Sequence, residues 1–194
     1  MCVDLVNGKS AVYGIIGNPV EKSFSPVLQN TIAEELGVNA VYVPFKVEKG
    51  CVKTAVEGGR ALGVKGFNVT VPHKIEVMDS LCRIDAAAEK IGAVNTLKLT
   101  DEGYAGYNTD IIGLGKCLES RKISVKNSTV VLAGAGGAAN SAAILAGEKG
   151  ASKLIIVNRT AEKAEKLAER VRKYYSLTVE VTDYENLMEI ENPE

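Results

Sequence analysis

The chain has 194 residues, 46% hydrophobic and 24% charged, with 23 Lys and Arg against 24 Asp and Glu and a formal net charge of -1. That length holds one domain or two modest ones, each able to bury a core, and the charge balance gives no electrostatic case for nucleic acid. Cys2, Cys51, Cys82 and Cys117 lack paired spacing, which argues against a metal site and a disulfide framework; no basic-then-apolar signal follows Met1-Cys2-Val3-Asp4, and no apolar run approaches membrane-spanning length. The expectation is a soluble cytoplasmic protein, a monomer or homodimer, with no metal, nucleic-acid or membrane partner.

In chain order, residues 11–17 read as a first strand, broken by Asn18-Pro19. Pro26 suits the first turn of a helix with Ser25 as its cap, and Val27, Leu28, Ile32 and Leu36 continue it to a Gly37 stop. Residues 41–47 form a second strand, 52–62 a helix with Gly58-Gly59 inside it, and 65–71 a third strand ended by Pro72. Short helices are expected over 74–81 and 84–91, then strands over 93–100 and 104–107 around an Asp101-Glu102-Gly103 turn. Strands alternating with helices imply an α/β fold with a mostly parallel sheet covered on both faces, its last pair a hairpin.

A helix over 110–118 leads into a second unit. Thr129-Val130-Val131-Leu132-Ala133 is a buried-type strand, and Gly134-Ala135-Gly136-Gly137-Ala138-Ala139 follows at once, matching the dinucleotide fingerprint with Ala in the third small position. A helix over 140–148, rich in small residues, and a strand over 153–157 complete a βαβ unit. Glycines at 134 and 136 permit a tight turn and close approach to a pyrophosphate, which the helix N-terminus then faces with unpaired N–H groups. The second strand ends in Asn158-Arg159-Thr160, with Lys163 one turn on. A carboxylate there would suit NAD; a neutral amide, a guanidinium and a hydroxyl suit the ribose phosphate of NADP. Thr160 is expected to cap a helix on which Glu162 helps Lys166 and Glu165 repels Glu169, and residues 177–181 offer a third strand. No Lys-Ser/Thr follows the glycines, which disfavours a simple nucleoside triphosphatase.

In an open parallel sheet, ligands gather beyond the C-terminal ends of the strands. Three polar clusters fall there: Ser23-Phe24-Ser25, the run Asn68-Val69-Thr70-Val71-Pro72-His73-Lys74, and Asn108-Thr109-Asp110 with Asn95-Thr96 before it. Hydroxyls, amides, one Lys and one Asp suit a small polyhydroxylated acid. Each residue also has a plainer role: Asp110 as a helix N-terminal acid, Ser25 as a cap, Lys74 as a surface charge. His73 is taken as structural or exposed, and Tyr13 as a strand residue near the pocket.

The loop Gly17-Asn18-Pro19-Val20 with Ser23-Phe24-Ser25-Pro26, the Asn68-to-Lys74 run, Gly92-Ala93-Val94-Asn95-Thr96, Tyr107-Asn108-Thr109-Asp110-Ile111-Ile112-Gly113, the Gly134-to-Ala138 loop and Asn158-Arg159-Thr160 together resemble the shikimate dehydrogenase family. The resemblance implies a substrate domain over residues 1–107 and a Rossmann-type NADP domain over 108–194. It implies Ser23 and Ser25 on the shikimate carboxylate, Thr70, Asn95 and Asp110 on the ring hydroxyls, and Lys74 with Asp110 as the catalytic pair. The cofactor contacts would be Gly134, Ala135, Gly136, Gly137, Ala138, Asn158, Arg159, Thr160 and Lys163. The reaction would be reversible NADPH-dependent reduction of 3-dehydroshikimate to shikimate, with either Lys74 or Asp110 moving the proton. Only the first half of a dinucleotide fold is visible before Asn192-Pro193-Glu194, so a C-terminally truncated chain is expected, or a piece of a longer multifunctional one. The alternatives are an NAD-using quinate/shikimate dehydrogenase and a non-catalytic metabolite-binding module.

Overall fold

The structure, a computed structural model, describes residues 6–186; Cys2 and the Asn192-Pro193-Glu194 end lie outside them. The chain divides into two compact units, residues 1–89 with 94–108 and residues 90–93 with 109–194.

The first unit is built on a six-stranded sheet in the order β2-β1-β3-β5-β6-β4. Strands β1 (Ala11–Gly17), β2 (Ala40–Lys46) and β3 (Gly66–Val69) run parallel, joined by α1 (Ser25–Glu35) and α2 (Val52–Ala61). The expected hairpin is present: β5 (Thr96–Leu99) and β6 (Tyr104–Tyr107) pair antiparallel, and β5 also lies antiparallel to β3. The two short-helix expectations hold over narrower ranges. Over 74–81 the helix is a 3-10 helix at Glu76–Ser80. The segment over 84–91 splits into a two-residue strand β4 (Arg83–Ile84), parallel to β6, and α3 (Ala86–Ile91). Asp85 stops the strand by turning its carboxylate onto the Ala87 N–H at 3.0 Å.

The core of this unit gathers Ile16, Val52, Val56, Phe67, Val69, Val77, Leu97 and Tyr104 under α2. Gly59 is needed there, because a Cβ would run into the Phe67 ring. The opposite face departs from the expectation of full cover. None of the α1 side chains is buried, and a cavity of about 410 Å³ opens beside Tyr13, Ala33 and Leu36.

In the second unit, β7 (Thr129–Ala133), β8 (Lys153–Val157) and β9 (Thr178–Thr182) form a parallel sheet in the order β7-β8-β9. This is the succession of a first mononucleotide half. Helix α4 (Asp110–Ser120) leads in, α5 (Gly137–Glu148) crosses from β7 to β8, and α6 (Ala161–Tyr174) crosses from β8 to β9. The small residues Ala143 and Ala146 of α5 are buried, as are Leu154 to Val157 of β8, and α6 adds Ala164, Leu167, Ala168 and Val171. On the outer side of α6, Glu162 meets Lys166 at 2.7 Å as expected, but Glu165 is not left facing Glu169: the Arg172 guanidinium takes it at 2.6 Å. No helix among the described residues is long and apolar enough to cross a membrane.

Candidate functional site

In the first unit, the polar loops converge beyond the C-terminal ends of β1 and β3. The turn after β3 is stitched on every side by backbone bonds. Thr70 donates to Ile16 O at 2.9 Å, Asn18 to Val71 O at 2.9 Å, and His73 to Thr70 O at 2.9 Å. The Lys74 carbonyl accepts from Val94 at 2.7 Å, and the Asn95 carbonyl accepts from Val69 at 2.8 Å. Thr70, Lys74 and Asn95 thus stand on one hydrogen-bonded frame, with Asn95 buried and Thr70 and Lys74 half-buried.

His73 is buried completely, with its Nε2 2.7 Å from the Val47 carbonyl and its Nδ1 3.6 Å from a Glu76 carboxylate oxygen. Of the two expectations, structural or exposed, the first holds: the imidazole ties the turn before Lys74 to the end of β2.

Ser23 and Ser25 are half-buried on the loop after β1, where the Ser23 Oγ accepts from the Ser25 N–H at 3.3 Å. Ser25 is not the helix cap. The helix begins at Ser25 itself, Phe24 holds the cap position without a side-chain bond, and Pro26 fills the first turn. With its backbone inside the helix, the Ser25 hydroxyl instead lies near enough to the Tyr42 phenol to offset part of the upward shift of its pKa. Burial pushes the Tyr42 hydroxyl up to about 12, so it carries its proton at neutral pH. Tyr42 and Asn30 escape a reading of the sequence, because their contact joins α1 to β2 across twelve residues and follows no local period.

In the second unit, Asp110 is half-buried in the first turn of α4, where the helix dipole favours its charge. Gly134 adopts φ +114° and its N–H bonds Val157 O at 2.7 Å, which ties the glycine loop to the end of β8. Helix α5 starts at Gly137, three residues before the expected 140, so its first-turn N–H groups belong to the glycine loop. A Cβ at Gly134 or Gly136 would meet nothing within 4 Å, so packing does not demand glycine at 136. Ala135 is buried, Gly137 half-buried and Ala138 exposed.

Beyond β8, the Asn158 amide donates to Thr160 O at 2.8 Å, and Arg159, Thr160 and Lys163 are exposed. Thr160 holds the cap position of α6, but its hydroxyl makes no cap bond; its carbonyl takes the Lys163 N–H at 3.2 Å. A cluster of one amide, one guanidinium, one hydroxyl and one ammonium at this strand end has the donor set for a phosphate.

A parallel βαβ with a left-handed glycine turn leading into a helix N-terminus defines a Rossmann-type chain. Residues 15–97 match the family described as shikimate dehydrogenase substrate binding domain, and residues 114–192 the family described as shikimate / quinate 5-dehydrogenase. A crystal structure of shikimate dehydrogenase from Aquifex aeolicus is 39% identical with a TM-score of 0.81, covering 97% of this chain and 74% of that one. The chain belongs to the shikimate dehydrogenase family.

A second solved structure, a shikimate dehydrogenase in complex with NADP+, is 44% identical with a TM-score of 0.82, over 92% of this chain and 63% of that one. The curated shikimate dehydrogenase (NADP(+)) of Methanocaldococcus jannaschii is 47% identical over 167 residues, or 86% of this chain. The chain spans 58% of that relative's length.

Proposed function

We propose that this chain is the substrate-binding unit and the first half of the NADP-binding unit of a shikimate dehydrogenase, an oxidoreductase that interconverts 3-dehydroshikimate and shikimate. In this reading the unit before Thr109 takes the acid and the unit after it takes the cofactor. What supports it above all is that Thr70, Lys74 and Asn95 stand on one backbone frame within the stretch that matches the substrate-binding family.

Ser23 and Ser25 bind the carboxylate of the acid through their hydroxyls. Thr70, Asn95 and Asp110 hold the ring hydroxyls. Lys74 and Asp110 serve the carbonyl carbon: as it gains two electrons its oxygen becomes an alkoxide, and a proton must reach that oxygen from one of these two groups. The Lys74 ammonium also stabilises the developing negative charge, a role a carboxylate cannot fill.

The residues present fit NADP. Gly134 to Ala138 leave open space at the N-terminus of α5 for a pyrophosphate, and Asn158, Arg159, Thr160 and Lys163 offer donors to a ribose phosphate. When bound, the reduced nicotinamide supplies the hydride. The place of action proposed is the cytoplasm, where Cys51, Cys82 and Cys117 stay as the free thiols they are in the structure, with the protein a monomer or homodimer that needs no nucleic acid.

The test is a calorimetric titration of the 194-residue chain with shikimate, since all but one of the assigned substrate residues lie in the first unit. Saturable one-site binding is expected, abolished by Lys74→Ala or Asn95→Ala. A chain that unfolds cooperatively yet binds no shikimate overturns the substrate assignment.

A further inference from the structure

Beneath the assigned substrate residues lies a directed line of hydrogen bonds. The Asn30 carboxamide takes both edge groups of Tyr42: its Nδ2 donates to Tyr42 O at 2.9 Å and its Oδ1 accepts from Tyr42 N at 2.9 Å, while the same Nδ2 reaches Pro26 O at 2.8 Å. Asn30 therefore satisfies the outer edge of β2 at one residue and fastens the first turn of α1 to it. Tyr42 is buried, and its hydroxyl lies 2.7 Å from Asn68 Oδ1. Asn68 Nδ2 in turn reaches Asn95 O and Thr96 Oγ1, both at 3.4 Å, and Thr96 Oγ1 lies 2.8 Å from Asn95 Oδ1.

The chemistry fixes the direction of every step. A backbone carbonyl only accepts, so the end of Asn68 facing Asn95 O must be its NH₂. The other end, Oδ1, then faces Tyr42 and requires a donor, which the protonated phenol is. Thr96 Oγ1 accepts from Asn68, so its own proton goes to Asn95 Oδ1. The outcome at the far end is that the Asn95 carboxamide has its acceptor engaged and its Nδ2 defined as the donor end.

We propose that Tyr42 is a positioning residue of the shikimate site: its hydroxyl, acting through Asn68 and Thr96, sets which end of Asn95 donates. The proposal rests on the substrate reading above.

Without the phenol oxygen, Asn68 Oδ1 loses its donor in a largely buried place, and the carboxamide gains by turning or shifting, which releases Thr96 and then Asn95. Tyr42→Phe keeps the ring and its packing, so the sheet persists while the relay is cut. Two readouts on the full 194-residue chain separate the proposal from the reading beneath it. The first is the NMR signal pair of the Asn95 side-chain NH₂, a signature that general loss of stability does not move. In Tyr42→Phe this pair is expected to shift and exchange faster with water, with backbone amides of β1 and β3 unchanged. Thr96→Val should produce the same Asn95 change, and Tyr42→Phe added to it should produce no more.

The second readout is shikimate affinity, expected to weaken about fivefold in Tyr42→Phe, the scale of one lost hydrogen bond. An Asn95 signal pair untouched by Tyr42→Phe overturns the proposal, as does an unchanged affinity in a chain whose wild type binds. A wild-type chain that ignores shikimate while its Asn95 signals follow Tyr42 upholds the relay and overturns the substrate reading alone.

Discussion

His73 donates from Nε2 to the Val47 carbonyl across 2.7 Å, with the imidazole entirely out of water. The carbonyl can only accept, so Nε2 carries a proton. The bond closes the loop before α2 onto the turn that carries Lys74. His73→Leu fills the space but strands the Val47 carbonyl, at a cost of about 1–3 kcal/mol. His73→Gln, whose amide nitrogen reaches to a similar distance, should restore part of that. Urea unfolding of the three proteins checks the order wild type, Gln, Leu; equal midpoints for Leu and wild type would show that the bond contributes nothing.

Two buried phenols set the alkaline limit of the first unit. Burial pushes Tyr104, whose hydroxyl donates to Val64 O at 2.6 Å, up to about 12, and Tyr42 likewise to about 12, against an ordinary value of 10.0. A raised folded value means that the folded state keeps a proton the unfolded chain gives up. The stability involved is complete below pH 10 and is lost as pH climbs through about 12. Denaturant midpoints should therefore be level up to pH 10 and then fall steeply. Tyr104→Phe should flatten part of that fall while lowering stability near neutral pH, since the Val64 carbonyl loses its donor. A midpoint that does not change between neutral pH and 12 counts against this assignment.

Much of this fold was legible because it follows local rules. Each of the longer strands and helices came from apolar period and from Gly or Pro punctuation, as at Pro26 and Gly37, the latter with φ +63°. What was not legible depended on partners far along the chain. Residues 83 and 84 become a strand only because β6 lies beside them. Ser25 is read as a cap from composition, yet the helix starts one residue earlier than such a cap allows, and Tyr42 gives the hydroxyl another neighbour. The polar clusters of the site were visible as residue types, but the Asn30–Tyr42–Asn68 line that connects them was not, because no spacing in sequence encodes a contact between a helix face and a strand edge.

Gly92 occupies φ +70° and lies under the Arg170 guanidinium, which a Cβ there would overlap. Gly92→Ala therefore meets two penalties, a left-handed backbone and displacement of a side chain from α6. A loss of about 1–3 kcal/mol is expected for the second unit. Gly92→Ala combined with Arg170→Ala removes the overlap and leaves only the backbone term, so the double variant should lose less than the two single losses summed. Thermal unfolding of the four proteins measures this. Strict additivity would show that the guanidinium yields freely and that the backbone alone requires glycine.

In the proposed reading, the end of β8 carries the choice between the two nicotinamide dinucleotides. Asn158 is half-buried with its Nδ2 held by Thr160 O, while Arg159 and Lys163 remain exposed. A ribose phosphate needs the positive charge of Arg159 and the absence of a negative one at 158. Arg159→Ala should weaken NADP binding about 10- to 100-fold, the scale of charge-assisted hydrogen bonds, and leave NAD binding nearly unchanged. Asn158→Asp should weaken NADP again by placing a carboxylate beside the phosphate, and strengthen NAD by giving its ribose hydroxyls a charged acceptor. Parallel titrations of the chain with NADP and NAD decide it. If Arg159→Ala weakens both dinucleotides equally, the guanidinium contacts a part they share, such as the adenine ring or the pyrophosphate, and selection of the ribose phosphate lies with Thr160 and Lys163.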